Sequence, residues 1–241
     1  MKVKTRILTP PKDDFLAILD EFLPKIFDGD IILIAAKVLA IHGGRCVKKS
    51  DVDKLELIGE EADYAPEKIT DPCVTIKDSA LIPNSGIDES NGNGYYVLWP
   101  RDVKTLLREI HSFITNKFNL ATLGVISTDS CVLPMRAGTV GISQGSFGFI
   151  PALNLIGQSD LFGRPLKISK INIADALAGV APLVMGEAGE ACPVAIARGL
   201  EGISFSTDEK QATIPSIGKN EDLFGDMLKF FRGKNGMERD P

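Results

Sequence analysis

Residues 183–199 read Leu-Val-Met-Gly-Glu-Ala-Gly-Glu-Ala-Cys-Pro-Val-Ala-Ile-Ala-Arg-Gly, and this stretch constrains the chain most. An apolar helical run stops at Met185, a small-residue turn carries Glu187 and Glu190, and Pro193 opens a β-type run over 194–197. Gly186 and Gly189 lack a Cβ, so a ligand can approach their backbone closely. Two carboxylates among backbone N–H groups suit a bare anion poorly. They suit a divalent cation that itself carries phosphates, because hard cations take oxygen ligands. Read locally, the same turn is a helix C-cap with two solvated acids.

Two further segments favour the ligand reading. Leu123-Gly-Val-Ile-Ser-Thr-Asp129-Ser130 is an apolar strand candidate ending in an acid and a hydroxyl, and open α/β sheets bind ligands beyond the carboxyl ends of their strands. Asn84-Ser-Gly-Ile-Asp88-Glu-Ser90-Asn91 is a polar loop rich in side-chain oxygens. A single loop Asp is ordinarily an Asx-turn residue. Asp88, Asp129 and Glu187 in three such loops make a shared metal–nucleotide site the reading to test.

Elsewhere the pattern is mixed. Residues 13–23 read as a helix with Phe15, Leu19, Phe22 and Leu23 on one side, and 31–35 as a buried strand. Residues 102–118 form an amphipathic helix candidate, 134–158 a glycine-rich loop, and 172–185 an apolar helix interrupted at Pro182. Residues 220–231 suggest a last amphipathic helix. The fold class is α+β, with mixed sheets and packed helices, because strict βαβ alternation is missing. The expected organisation is one domain over 1–232, with two intertwined subdomains, and a flexible tail over 233–241.

The 241 residues carry a formal charge of −5, which argues against a nucleic-acid surface. No apolar run is long enough to span a bilayer and the first residues are no signal peptide, so a cytoplasmic enzyme is expected. Cys46, Cys73, Cys131 and Cys192 are scattered, as free thiols in a reducing compartment would be.

The motifs Gly86-Ile-Asp-Glu-Ser-Asn91, Thr128-Asp-Ser130, Asp160-Leu-Phe-Gly-Arg-Pro-Leu, Val184-Met-Gly-Glu and Pro193-Val-Ala-Ile-Ala-Arg-Gly resemble, in order, those of the coenzyme F420-0:L-glutamate ligase family. The likeness runs from about residue 9 to about residue 232. It implies a γ-glutamyl ligase fold and a homodimer. The implied reaction joins L-glutamate to a small-molecule acceptor carboxylate through an acyl phosphate made with GTP or ATP. It also implies two Mg²⁺ or Mn²⁺ ions, one on Asp88 and Asp129, the other on Ser130 and Glu187. Carried over likewise, nucleotide contacts fall on Thr9, Pro10, Lys37, Asn91, Met185, Gly186, Ala188, Gly189 and Glu190, and catalytic charge on Lys37 and Arg136.

Departures from the family pattern cluster around these motifs. Ile41 stands where the family has a second lysine, and His42 or Arg45 is the candidate replacement. Residues 46–83 look contracted, Cys131-Val-Leu-Pro replaces a basic loop, and Gln144 and Ser146 interrupt an apolar run. These changes lead to the expectation of a kept nucleotide–metal centre with a changed acceptor, F420-like or folate-like. Two other classes stay open: a different phosphoryl-transfer enzyme and a non-catalytic nucleotide-binding protein.

Overall fold

A computed structural model describes residues 1–208, 217 and 222–233. The first half runs β1 (Lys2–Val3), α1 (Phe15–Phe22), β2 (Ile31–Ala35), α2 (Ala36–His42), β3 (Cys46–Lys48), α3 (Lys54–Glu61), β4 (Tyr64–Ala65), β5 (Val74–Lys77), β6 (Ala80–Pro83) and β7 (Tyr95–Val97). The second half runs α4 (Val103–Phe118), β8 (Gly124–Val132), β9 (Thr139–Phe147), β10 (Ala152–Asn154), β11 (Lys170–Asn172), α5 (Ile173–Met185), β12 (Val194–Ala197), α6 (Gly225–Leu228) and β13 (Arg232–Gly233).

The main sheet has the order β1-β12-β2-β8-β9, with β2 and β8 parallel and its other pairs antiparallel. The run Ile-Ile-Leu-Ile-Ala of β2 is apolar at every position because both faces are covered. Ile32 and Ile34 pack with α1, α2 and α4 through Phe15, Leu39, Leu107 and Ile110. Ile31 and Leu33 face α5 through Ala174, Ala178 and Ala181. The pair β3-β7 and strands β4-β5-β6 of a second sheet lie on the 46–99 segment, where Leu57, Ile58, Ile87 and Tyr96 share a smaller core, and β13 joins that sheet by pairing with β4. The α+β reading therefore holds. No helix among the described residues is long and apolar enough to cross a membrane.

The helix starts are local chemistry. Asp14 accepts from the amides of Leu16 and Ala17, Asp102 from Thr105, and Asn172 from Asp175. Three expectations need correction. Residues 134–158 are no simple loop, since β9 and β10 occupy much of the segment. Glycine belongs in β9 because a Cβ at Gly141 would lie 1.9 Å from the Ala178 carbonyl oxygen of α5. Helix α5 runs through Pro182 without stopping. Proline removes the N–H that Ala178 would accept, and that carbonyl accepts instead from Thr128 Oγ1 at 3.4 Å. Of the expected C-terminal helix, one turn, α6, is present. Residues 220–221 and the tail beyond Gly233 lie outside the described residues.

Candidate active site

Strands β2 and β8 are parallel, so both run toward the same edge of the sheet. Lys37 stands in the first turn of α2, directly beyond β2. A register shift between Ser127 and Thr128 precedes Asp129 and Ser130 on β8. Helix α5 ends at the same edge, followed by the turn that carries Glu187 and Glu190. The loop after β6 brings Asp88, Ser90 and Asn91 across the opening. Ser85 fixes that loop from below: it is fully buried, its Oγ donates to the Ile58 carbonyl at 2.8 Å, and its amide donates to Thr75 Oγ1 at 2.8 Å. Together these segments enclose a cavity of about 400 Å³. Its size falls in the ordinary range for small-molecule sites.

The polar side of the cavity is tightly connected. Lys37 Nζ lies 2.7 Å from Asp88 Oδ2 and also donates to the hydroxyl of Ser90 at 2.7 Å. Asp88 Oδ1 accepts the Ser90 amide at 2.6 Å. One oxygen of Asp88 therefore makes the local Asx turn, while the other meets the lysine. Asp129 Oδ1 accepts its neighbour's amide at 3.0 Å, and Asp129 Oδ2 accepts the indole N–H of Trp99 at 2.5 Å. Burial pushes the Asp129 carboxyl up to about 6, against the pull of the Trp99 bond, and the nearby Asp88 charge adds to the rise. Ser130 Oγ donates to Glu187 Oε1 at 2.5 Å. Asn91 Nδ2 donates to the Ala188 carbonyl at 3.1 Å, closing the Asp88 loop onto the Glu187 turn. Glu190 folds back to accept the Ala188 amide at 2.8 Å.

Most of the residues singled out in the sequence line this one cavity: Lys37, Asp88, Asn91, Asp129, Ser130 and 185–190. Five side chains stand elsewhere. Arg136 sits exposed at the tip of the β8–β9 hairpin, its amide closing the turn onto Leu133 at 3.2 Å. Thr9 and Pro10 lie outside the wall, which residues 5–8 form, because the Thr9 amide turns to Asp13 at 2.9 Å. Neither replacement for the second lysine reaches the site. Arg45 is held by Glu61 at 2.6 Å, and His42 Nδ1 accepts the Phe15 amide at 3.2 Å. Ile41 itself is buried on the cavity wall. Sequence reading missed the bond from Trp99 and the apolar wall of Leu8, Ile82 and Ile87. These residues carry no polar signature, and only the fold brings them to the site.

Among the described residues, no three His, Cys, Asp or Glu side chains converge closely enough to enclose an ion unaided. The acids form two oxygen sets instead, Asp88 beside Asp129 and Glu187 with the Ser130 hydroxyl. Such sets fit divalent ions whose remaining ligands are phosphate oxygens. The Lys37 ammonium on Asp88 already supplies positive charge where one of them would sit.

A family model described as F420-0:Gamma-glutamyl ligase matches residues 2–199. The chain is 34% identical over 220 residues to the coenzyme F420:L-glutamate ligase of Methanocaldococcus jannaschii, covering 83% of this chain and 86% of that protein. It is 32% identical over 230 residues to the enzyme of that name from Methanosarcina mazei, covering 86% and 87%. The like-named enzyme of Methanopyrus kandleri is 30% identical over 210 residues, covering 79% and 82%.

Proposed function

The chain belongs to the F420-0:gamma-glutamyl ligase family and is a ligase, and from that premise we propose that it uses GTP and divalent ions to join L-glutamate to an F420-type acceptor. The observation that carries this reading is the gathering of Lys37, Asp88, Asn91, Asp129, Ser130 and Glu187 around one cavity.

An amide does not form directly from a carboxylate and an amine, because oxide is a very poor leaving group. Transfer of the γ-phosphoryl group to the acceptor carboxylate gives an acyl phosphate and a nucleoside diphosphate. The glutamate amine then attacks the acyl carbon: the C–N bond forms, the C–O bond to phosphate breaks, and the amine gives up a proton. Inorganic phosphate leaves. Positioning and charge stabilisation supply most of the rate in such transfers. Lys37 meets a non-bridging phosphate oxygen as a point charge once it leaves Asp88. Asn91 and the 185–190 turn hold the nucleotide, while Leu8, Ile41 and Ile87 give it an apolar wall. Asp88 with Asp129, and Ser130 with Glu187, would hold two Mg²⁺ or Mn²⁺ ions, which would supply neutralisation of phosphate charge.

We also read the chain as a homodimer. Val180 and Leu183 on α5, together with Leu161, Phe162 and Ile168 of the preceding β10–β11 connection, expose apolar surface that a second copy would cover.

The test is mass analysis after incubation with F420-0, L-glutamate, GTP and Mn²⁺. A product heavier by one glutamyl residue is expected, with GTP consumption that requires glutamate. GTP consumption without glutamate, or no adduct with F420-0, overturns the reading. An adduct on a folate-like acceptor alone would support the changed-acceptor expectation drawn from residues 46–83. The same assay with ATP in place of GTP decides the nucleotide.

A further inference from the structure

We propose, resting on the ligase reading, that Trp99 is a positioning residue that sets the orientation of the Asp129 carboxylate and its distance from the Asp88 loop. Trp99 is nearly fully buried, at 3% exposure, among Ile82, Cys131 and Ile142, and contributes no surface to the cavity. Its indole N–H nevertheless points to the cavity edge and donates to Asp129 Oδ2 at 2.5 Å. The Ser130 amide occupies the other carboxylate oxygen at 3.0 Å. With one donor on each oxygen, the carboxylate plane is fixed, and the remaining lone pairs are left for a ligand.

The same ring sets the neighbouring acid. Gly86 lies two residues before Asp88 with φ +71°, and a Cβ there would fall 2.2 Å from the indole nitrogen. The absent side chain lets the loop backbone rest directly on the indole. Asp88 is also tied to the strand that leads to Trp99. Its amide and carbonyl exchange 2.9 Å hydrogen bonds with those of Val97. The Trp99 carbonyl accepts from Arg45 Nε at 3.1 Å, and Glu61 holds that guanidinium. One residue therefore contacts both acid-bearing segments, and its own backbone is anchored on the far side. A purely packing tryptophan needs neither the carboxylate partner nor the glycine opposite its nitrogen.

Trp99 is the sole tryptophan of the chain, so replacing every tryptophan with β-(3-benzothienyl)alanine alters this position alone. That analogue keeps the ring shape and removes the N–H. Trp99→Phe is the genetic counterpart. Expected for the analogue protein are an unchanged thermal midpoint, a Mn²⁺ dissociation constant raised about tenfold by electron paramagnetic resonance, and kcat lowered about tenfold with KM for GTP held. In ¹⁵N-labelled parent protein the single indole resonance should move on Asp129→Asn. Parent-like Mn²⁺ affinity and kcat in the analogue protein overturn the proposal, as does an indole resonance that ignores Asp129→Asn. A parent protein that forms no glutamyl adduct, yet loses Mn²⁺ affinity on removal of the N–H, overturns the ligase reading and leaves the positioning role standing.

Discussion

Lys37 Nζ and Asp88 Oδ2 lie 2.7 Å apart, although α2 carries one residue and the loop after β6 the other. The lysine also donates to the Ser90 carbonyl and hydroxyl. Lys37 thus acts as an internal counterion, held where phosphate oxygens and a divalent ion would meet the acid. With Ile41 uncharged beside it, Arg45 committed to Glu61 and the cavity-lining Arg6 committed to Asp13, it is the basic side chain beside the acids on which the expected phosphate charge falls.

Lys37→Ala is expected to lower kcat/KM for nucleotide by about 100-fold, the scale of losing one charge-stabilising donor. Lys229→Ala removes an exposed cation paired with Asp226 and should leave turnover unchanged. Steady-state nucleotide hydrolysis in the presence of glutamate and acceptor makes the comparison, and equal rates for Lys37→Ala and the parent refute the assignment.

Asp129→Asn is expected to keep the thermal midpoint within a few degrees and to cut turnover by about 100-fold. The amide oxygen can still accept the Trp99 N–H, so the packing survives while the charge does not. Isothermal titration with Mn²⁺ and a non-hydrolysable GTP analogue should show metal-dependent binding weakened by tenfold or more. Unchanged binding would remove Asp129 from the metal set.

Glu61 is a structural hub. Burial alone would push its carboxyl up, but Arg45 and Lys77, at 2.6 and 2.7 Å, bring it down to about 2. A folded-state value below the unfolded one adds stability that is present above about 4.5 and is lost as pH falls toward 2. Glu61→Gln leaves buried cations without a counter-charge and is expected to cost about 3 kcal/mol at pH 7. In urea unfolding at pH 5 and pH 3, the parent should lose more stability over the interval than the variant does. Parallel losses count against this account.

His111 is buried in α4, with Nε2 3.2 Å from the Leu123 carbonyl oxygen and its ring edge-on to Phe147. Burial pushes its pKa below the ordinary 6.5. The unfolded chain therefore binds a proton more readily than the folded one, so His111 costs stability as pH falls below about 6.5. His111→Gln should flatten the dependence of the thermal midpoint between pH 7 and pH 5.5. An unchanged slope would assign that dependence to other groups.

Local chemistry was legible in the chain. The helices read over 102–118 and 172–185 do start at Asp102 and Asn172, because a cap reaches its amides within three residues. The apolar run of β2 announces a strand covered on both faces, and the three acid-bearing loops announce segments that line one cavity. The tertiary structure decided what depends on distant partners. Glycine-bearing β9 is a strand because α5 comes within a Cβ's reach, and α5 passes Pro182 because Thr128, 50 residues from Ala178, satisfies the orphaned carbonyl. Likewise, Arg136 turns outward at a hairpin tip while buried Trp99 reaches Asp129 across 30 residues. Caps and periodicity are set by neighbours along the chain, whereas a carboxylate's partners are set by which strands the sheet lays side by side. The sequence names the acids, and the parallel pairing of β2 with β8 is what gives them a common cavity.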